Sequence, residues 1–102
     1  MTQHPLSIDT IYNMDCIEGM KLLPDKCIDA IIADLPYGVL NKSNKSSRWD
    51  RMIPLEALWE QYNRIAKKGC PIILFSQGMF TAKLIMSQTD KWRYNLVWEK
   101  GR

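Results

Sequence analysis

Residues Ala30 to Tyr37, A-I-I-A-D-L-P-Y, constrain this chain more than any other stretch. An apolar run from Cys27 to Ala33, broken only by Asp29, delivers a carboxylate, Asp34, into a turn that holds Pro36, Tyr37 and Gly38. Such a run, closed by proline and glycine, reads as a buried strand opening into a loop. In an open α/β sheet ligands sit beyond the carboxyl ends of the strands, so an acid followed by an aromatic there marks a candidate site.

The surrounding pattern fits a sheet with helices on its faces. Met1 to Asp9 are mostly polar and read as a flexible lead-in, and the domain proper runs from 10 to 102. Thr10 to Met14 is a short β-prone run closed by Asp15, and Ile17, Met20 and Leu23 then share one face of a short helix that Pro24 ends. Between Leu35 and Pro54 no periodicity emerges, and the centre of that segment carries Lys42, Lys45 and Arg48 among Asn and Ser, as a loop would. Leu55, Leu58, Trp59, Tyr62, Ile65 and Ala66 recur at helical spacing, with Pro54 before them and Lys67-Lys68-Gly69 after. Pro71 to Phe75 reads as a strand, Met79 to Ser87 as a helix, and Trp92 to Trp98 as a last strand by alternation. Strands alternating with helices predict an α/β fold with a mostly parallel sheet.

Composition narrows the function classes. At 102 residues the chain is one small domain at most, and a net charge of +3 permits a polyanionic partner without demanding one. Three cysteines, Cys16, Cys27 and Cys70, contain no C-x-x-C pair, which argues against a disulfide scaffold or zinc ribbon and for a reducing cytosol. They read as small buried hydrophobes, Trp59 and Tyr62 as core, and Phe75, Met79, Met86, Trp92 and Trp98 as packing residues. The one histidine, His4, lies in the polar lead-in, which leaves no His-based triad. No apolar run approaches ~18 residues, so a membrane partner is not expected.

The tetrapeptide Asp34-Leu35-Pro36-Tyr37 resembles the D-P-P-Y signature of the amino-group DNA methyltransferases, with Leu35 in place of the first proline. N-M-D-C-I-E-G-M, S-R-W-D, L-W-E-Q-Y, I-L-F-S-Q-G and W-R-Y-N-L-V-W-E-K extend the resemblance from Ile11 to Lys100, in the manner of phage and prophage members. It implies a Rossmann-like fold, S-adenosylmethionine as methyl donor and double-stranded DNA as substrate. It further implies catalytic roles for Asp34, Leu35, Pro36 and Tyr37, and cofactor contacts for Asp15, Cys16 and Asp34. The Gly-rich F-x-G-x-G element of the family is not in this sequence, so the resemblance is to the half of a permuted enzyme that carries D-P-P-Y first, with the C-terminal half missing. A fragment of that kind is expected to be marginally stable and to bind cofactor poorly by itself.

The chemistry suits those residues. An exocyclic amino group is a poor nucleophile because its lone pair is delocalised into the ring. Two acceptors on its hydrogens would draw the nitrogen toward a tetrahedral arrangement. A carboxylate at neutral pH is acceptor-only, as Asp34 would have to be, and the main-chain carbonyl of residue 35 survives the loss of the proline ring. With Leu35 there, Pro36 restrains Leu35 where a proline would have restrained Asp34, which predicts a somewhat less rigid site. A base extruded from a duplex is held by stacking, for which Tyr37 offers a ring face.

Duller roles compete: Asp34 as a turn former, Tyr37 as a packed turn aromatic, Asp15 as a helix N-cap, and Lys42, Lys45 and Arg48 as a solvated loop in place of a phosphate grip. Asp at the head of the tetrapeptide favours adenine N6. Cytosine N4, RNA or protein glutamine, and an inactive nucleic-acid-binding remnant are the alternatives.

Overall fold

The computed structural model describes residues 6–38 and 51–101. Their element order is α1 (Cys16–Lys21), β1 (Ile31–Asp34), α2 (Leu55–Ile65), β2 (Ile72–Phe75), α3 (Met79–Ser87) and a closing 3-10 turn over Thr89–Lys91. The strands pair in parallel with Ile31 opposite Ile72 and Asp34 opposite Phe75. A parallel pair needs a crossover, and α2 supplies it, which makes β1-α2-β2 the framework of the domain.

Helix α2 carries the core. Its predicted stripe is the observed one: Leu58, Trp59, Tyr62 and Ile65 are buried together with Ile31, Leu35, Phe80 and Leu84. The helix packs against α1 on one side and α3 on the other. Trp59 donates its Nε1–H to Ser87 Oγ at 2.8 Å, and Trp59 meets Tyr62 edge to face at 5.6 Å, so the aromatics of α2 are fixed in direction as well as depth.

The apolar run 27–33 divides its labour. Its first part caps α2: Lys26 N–H donates to Arg64 O, and Cys27 and Ile28 N–H both donate to Ile65 O, at 2.8–2.9 Å. These bonds satisfy carbonyls that a helix end leaves without partners. Ile28 makes only a single bridge to Ala66, and the ladder begins at Ile31, four residues later than the run itself. Asp29, the one polar interruption, turns outward to Lys67 Nζ at 2.8 Å.

Two predicted strands do not form. Residues 11–13 are irregular and Ile11 is 99% exposed; residues 92–101 make no ladder with any described residue, and Leu96 and Val97 are exposed. β-propensity is realised only against a neighbouring strand, and among the described residues the sheet has two strands, paired with each other. The cysteines are also less buried than expected: all three are free, Cys16 exposed and Cys27 and Cys70 half-buried. Phe75, Met79, Met86, Trp92 and Trp98, expected as packing residues, are exposed, although Phe75 and Trp98 touch each other at a centroid distance of 5.9 Å.

Alternation along the strands explains part of that exposure. Ile31, Ala33, Ile72 and Leu74 face the helices, whereas Ile32, Ile73 and Phe75 lie on the opposite face and are open. Parallel sheets in globular proteins are covered on both faces. Here the described residues place helices on one.

Candidate active site

Asp34 is the last residue of β1, at the carboxyl end of a parallel strand, where the sequence places it. Its neighbours in the alternation, Ala33 and Leu35, look toward the helices, so its carboxylate belongs to the open face and is exposed. Among the described residues it accepts one side-chain bond, from the Tyr37 hydroxyl at 3.5 Å, which is long. The Leu35 carbonyl accepts no hydrogen bond from any described residue. At the strand end the Asp34 carboxylate and the peptide oxygen of the next residue therefore both have acceptor capacity that the described residues leave unused.

Tyr37 stands beside them in a defined pose. Its ring stacks on Phe80 of α3, with centroids 5.0 Å apart and planes 27° from parallel. Burial, followed by the negative charge of Asp34 and the bond to it, pushes the Tyr37 phenol above its ordinary range, so at neutral pH it is an uncharged donor. Gly38 closes the turn at φ +79°, a conformation that favours glycine, and a Cβ there would come within 3.1 Å of Met52 Cβ and 3.3 Å of Met52 N. That close approach brings residues 51–54 back against the tetrapeptide.

The result is a cleft of about 360 Å³ lined by Asp15, Cys16 and Ile17 on one side and Pro36, Arg51, Met52, Ile53 and Pro54 on the other. Asp15 and Cys16 are thus brought to the tetrapeptide, as the sequence suggests, although no strand precedes them. Asp15 is also the N-cap of α1, its Oδ2 accepting from Glu18 N–H at 3.0 Å, so the duller role holds. Met14 fills the space over Gly19, its Sδ lying 2.9 Å from where a Cβ would stand. Desolvation, then the charge of Asp15, pushes the Cys16 thiol up, which favours its protonated form.

Sequence reasoning missed Arg51, which lines the cleft together with Asp15, and Phe80; neither residue belongs to a motif by type. Lys42, Lys45 and Arg48 lie outside the described residues. Among the described residues no cluster of His, Cys, Asp or Glu could hold a metal ion, and no helix is long and apolar enough to cross a membrane.

Strand end, exposed acid, peptide oxygen and stacked tyrosine thus come together within one α/β framework. The chain is similar to the Type II methyltransferase M.HinfI of Haemophilus influenzae, with 29% identity over 118 aligned positions that cover 91% of this chain and 32% of that protein. It therefore spans about a third of the length of that relative. No family model matches the chain, and no solved structure does.

Proposed function

We propose that this chain is the catalytic portion of a DNA methyltransferase that modifies the exocyclic amino group of an extruded base, adenine N6 in preference to cytosine N4. The observation that carries the reading is the exposed Asp34 carboxylate at the end of a parallel strand, followed by a Leu35 carbonyl that accepts from no described residue and flanked by a half-buried tyrosine ring. The similarity to a Type II methyltransferase over nearly the whole chain supports it.

In this reading the amino group donates its two hydrogens to Asp34 and to the carbonyl of Leu35, which restores a usable lone pair on nitrogen and holds the positive charge that develops there. Pro36 shapes the turn and Tyr37 stacks on the base, a contact worth roughly 1–3 kcal/mol. S-adenosylmethionine supplies an electrophilic methyl carbon on sulfur. The cleft suits such a cofactor: its volume is in the range of small-molecule sites, and one carboxylate and one guanidinium stand among apolar side chains. Asp15, Cys16 and Asp34 are the proposed cofactor contacts. Lys42, Lys45 and Arg48 are the proposed grip on DNA phosphates.

The sheet face of Ile32, Ile73 and Phe75, which no described helix covers, and the strand edges that are unpaired among the described residues are where the reading locates the remainder of a longer enzyme. The test is transfer of labelled methyl from S-adenosylmethionine by the natively produced polypeptide to separate DNA, RNA and protein pools. Label recovered as N6-methyladenine in DNA, and lost in Asp34→Ala, supports the proposal. Label in RNA or in protein glutamine moves the substrate, unaltered transfer by Asp34→Ala removes the assignment, and DNA binding without transfer marks an inactive remnant.

A further inference from the structure

Resting on that reading, we propose that Phe80 is a positioning residue: from the first turn of α3 it sets the plane in which Tyr37 receives the base. Three observations carry this. Phe80 is itself fixed, 4% exposed among Leu35, Leu58 and Leu84 in the core, so it is a floor and not a mobile neighbour. Tyr37 lies on that floor nearly parallel, at 5.0 Å, while its hydroxyl reaches Asp34 Oδ1. One ring therefore spans from the helix-covered side of the sheet to the acid on the open side, and its tilt is set by the contact beneath it.

The chain following β2 is built to make that contact. Phe75 pairs with Asp34, so the turn after β2 leaves the sheet at the same edge as the tetrapeptide. Gly78 caps α3 at φ +58° and ψ −138°, a conformation essentially reserved for glycine, which permits an abrupt entry into the helix. Thr81 locks the entry, donating its hydroxyl to Ser76 Oγ at 2.9 Å and its N–H to Gly78 O at 3.1 Å. Ser76, Gly78 and Thr81 thus hold the first turn of α3 under the tetrapeptide, with Phe80 aimed at Tyr37. Offset stacking of this kind is orientation-dependent, and a base held by Tyr37 inherits the angle.

Phe80→Leu, which keeps an apolar side chain in the core, separates positioning from packing. In the wild-type chain the Tyr37 ring resonances are expected to carry an upfield ring-current shift in NMR. In Phe80→Leu that shift disappears while the Tyr62 resonances, elsewhere in the same core, stay in place. Binding of DNA with 2-aminopurine at the target position, read by its fluorescence, weakens about tenfold with an unchanged salt slope, and Phe80→Tyr restores it. If Tyr37 keeps its shift in Phe80→Leu, or if Phe80→Leu binds the probe as tightly as wild type, the positioning role is refuted. If the wild-type chain shows the Tyr37 shift but never unstacks the probe base, the base-binding reading itself fails and the role falls with it.

Discussion

Arg64 holds the cleft together from behind, and its removal is the sharpest test of the fold as described. The guanidinium donates to Met20 O at 2.7 Å and Leu23 O at 2.8 Å, to Gln61 Oε1 at 2.9 and 3.1 Å, and to Asp25 Oδ1 at 2.9 Å. Two of those acceptors are carbonyls at the end of α1, so a side chain of α2 caps its neighbour and ties the two helices at one angle. Asp25 is 75% exposed, and its pair with Arg64 contributes at most about 1 kcal/mol. The remainder is larger: Gln61 is a buried polar residue that loses its partner, at about 1–3 kcal/mol, and the two carbonyls must find water at a helix–helix contact. Arg64→Met keeps the apolar stem and is expected to cost about 2–3 kcal/mol, which lowers Tm by about 10–20 °C in a domain of this size. Urea titration followed by tryptophan fluorescence, with Trp59 in the core as reporter, measures it directly. Asp25→Asn is the control, at under about 1 kcal/mol. A cost for Arg64→Met no greater than for Asp25→Asn would show that the clamp contributes nothing beyond a surface ion pair. Because α1 bears Asp15 and Cys16 at its other end, the same variant should loosen the cleft before it unfolds the domain.

Other expectations follow from single residues. Leu58 is fully buried, so Leu58→Ala should cost about 3 kcal/mol in the same titration. Gly78→Ala should cost about 1–3 kcal/mol from backbone conformation alone, since no atom lies within 4 Å of the added Cβ. Burial, then the neighbouring Cys16, pushes the Tyr62 phenol up to about 12, so the folded state retains a proton that the unfolded chain sheds near 10. Stability from this group is complete below pH 10 and falls as pH rises from about 10 to 12, a loss that Tyr62→Phe should remove in alkaline denaturation.

The residues that were legible in the sequence are those whose environment is local. The stripe of α2 repeats at helical spacing, and Asp34 ends an apolar run before a proline, so both could be placed without knowing the rest. The division of residues 27–33 between a helix cap and a strand could not, because it depends on where the end of α2, some forty residues later, leaves its carbonyls. The same holds for Arg64, whose partners Met20, Leu23 and Asp25 lie 39–44 positions away, and for Phe80, an ordinary apolar residue until Tyr37 is laid on it. Residues 10–14 and 92–98 have strand composition but pair with no strand among the described residues, and composition alone could not reveal that.

Leu35 shows how the two kinds of information combine. Against the D-P-P-Y signature that the tetrapeptide resembles, Leu35 stands where a proline would have constrained the backbone of Asp34. In the fold, Leu35 continues the inward row of Ile31 and Ala33 and is 7% exposed, packed within the core that also holds Phe80 and Leu58. Withdrawing that side chain to solvent would expose a large apolar surface, at about 1.5–3 kcal/mol, so the residue after the acid is held by burial where a proline would have held by ring closure. Because side chains alternate along an extended chain, anchoring Leu35 inward turns Asp34 outward, onto the open face and within reach of the Tyr37 hydroxyl. The packing anchor and the strand alternation thus present the same carboxylate to the same side, and a site built this way depends on the core beneath it more than on the stiffness of its own loop.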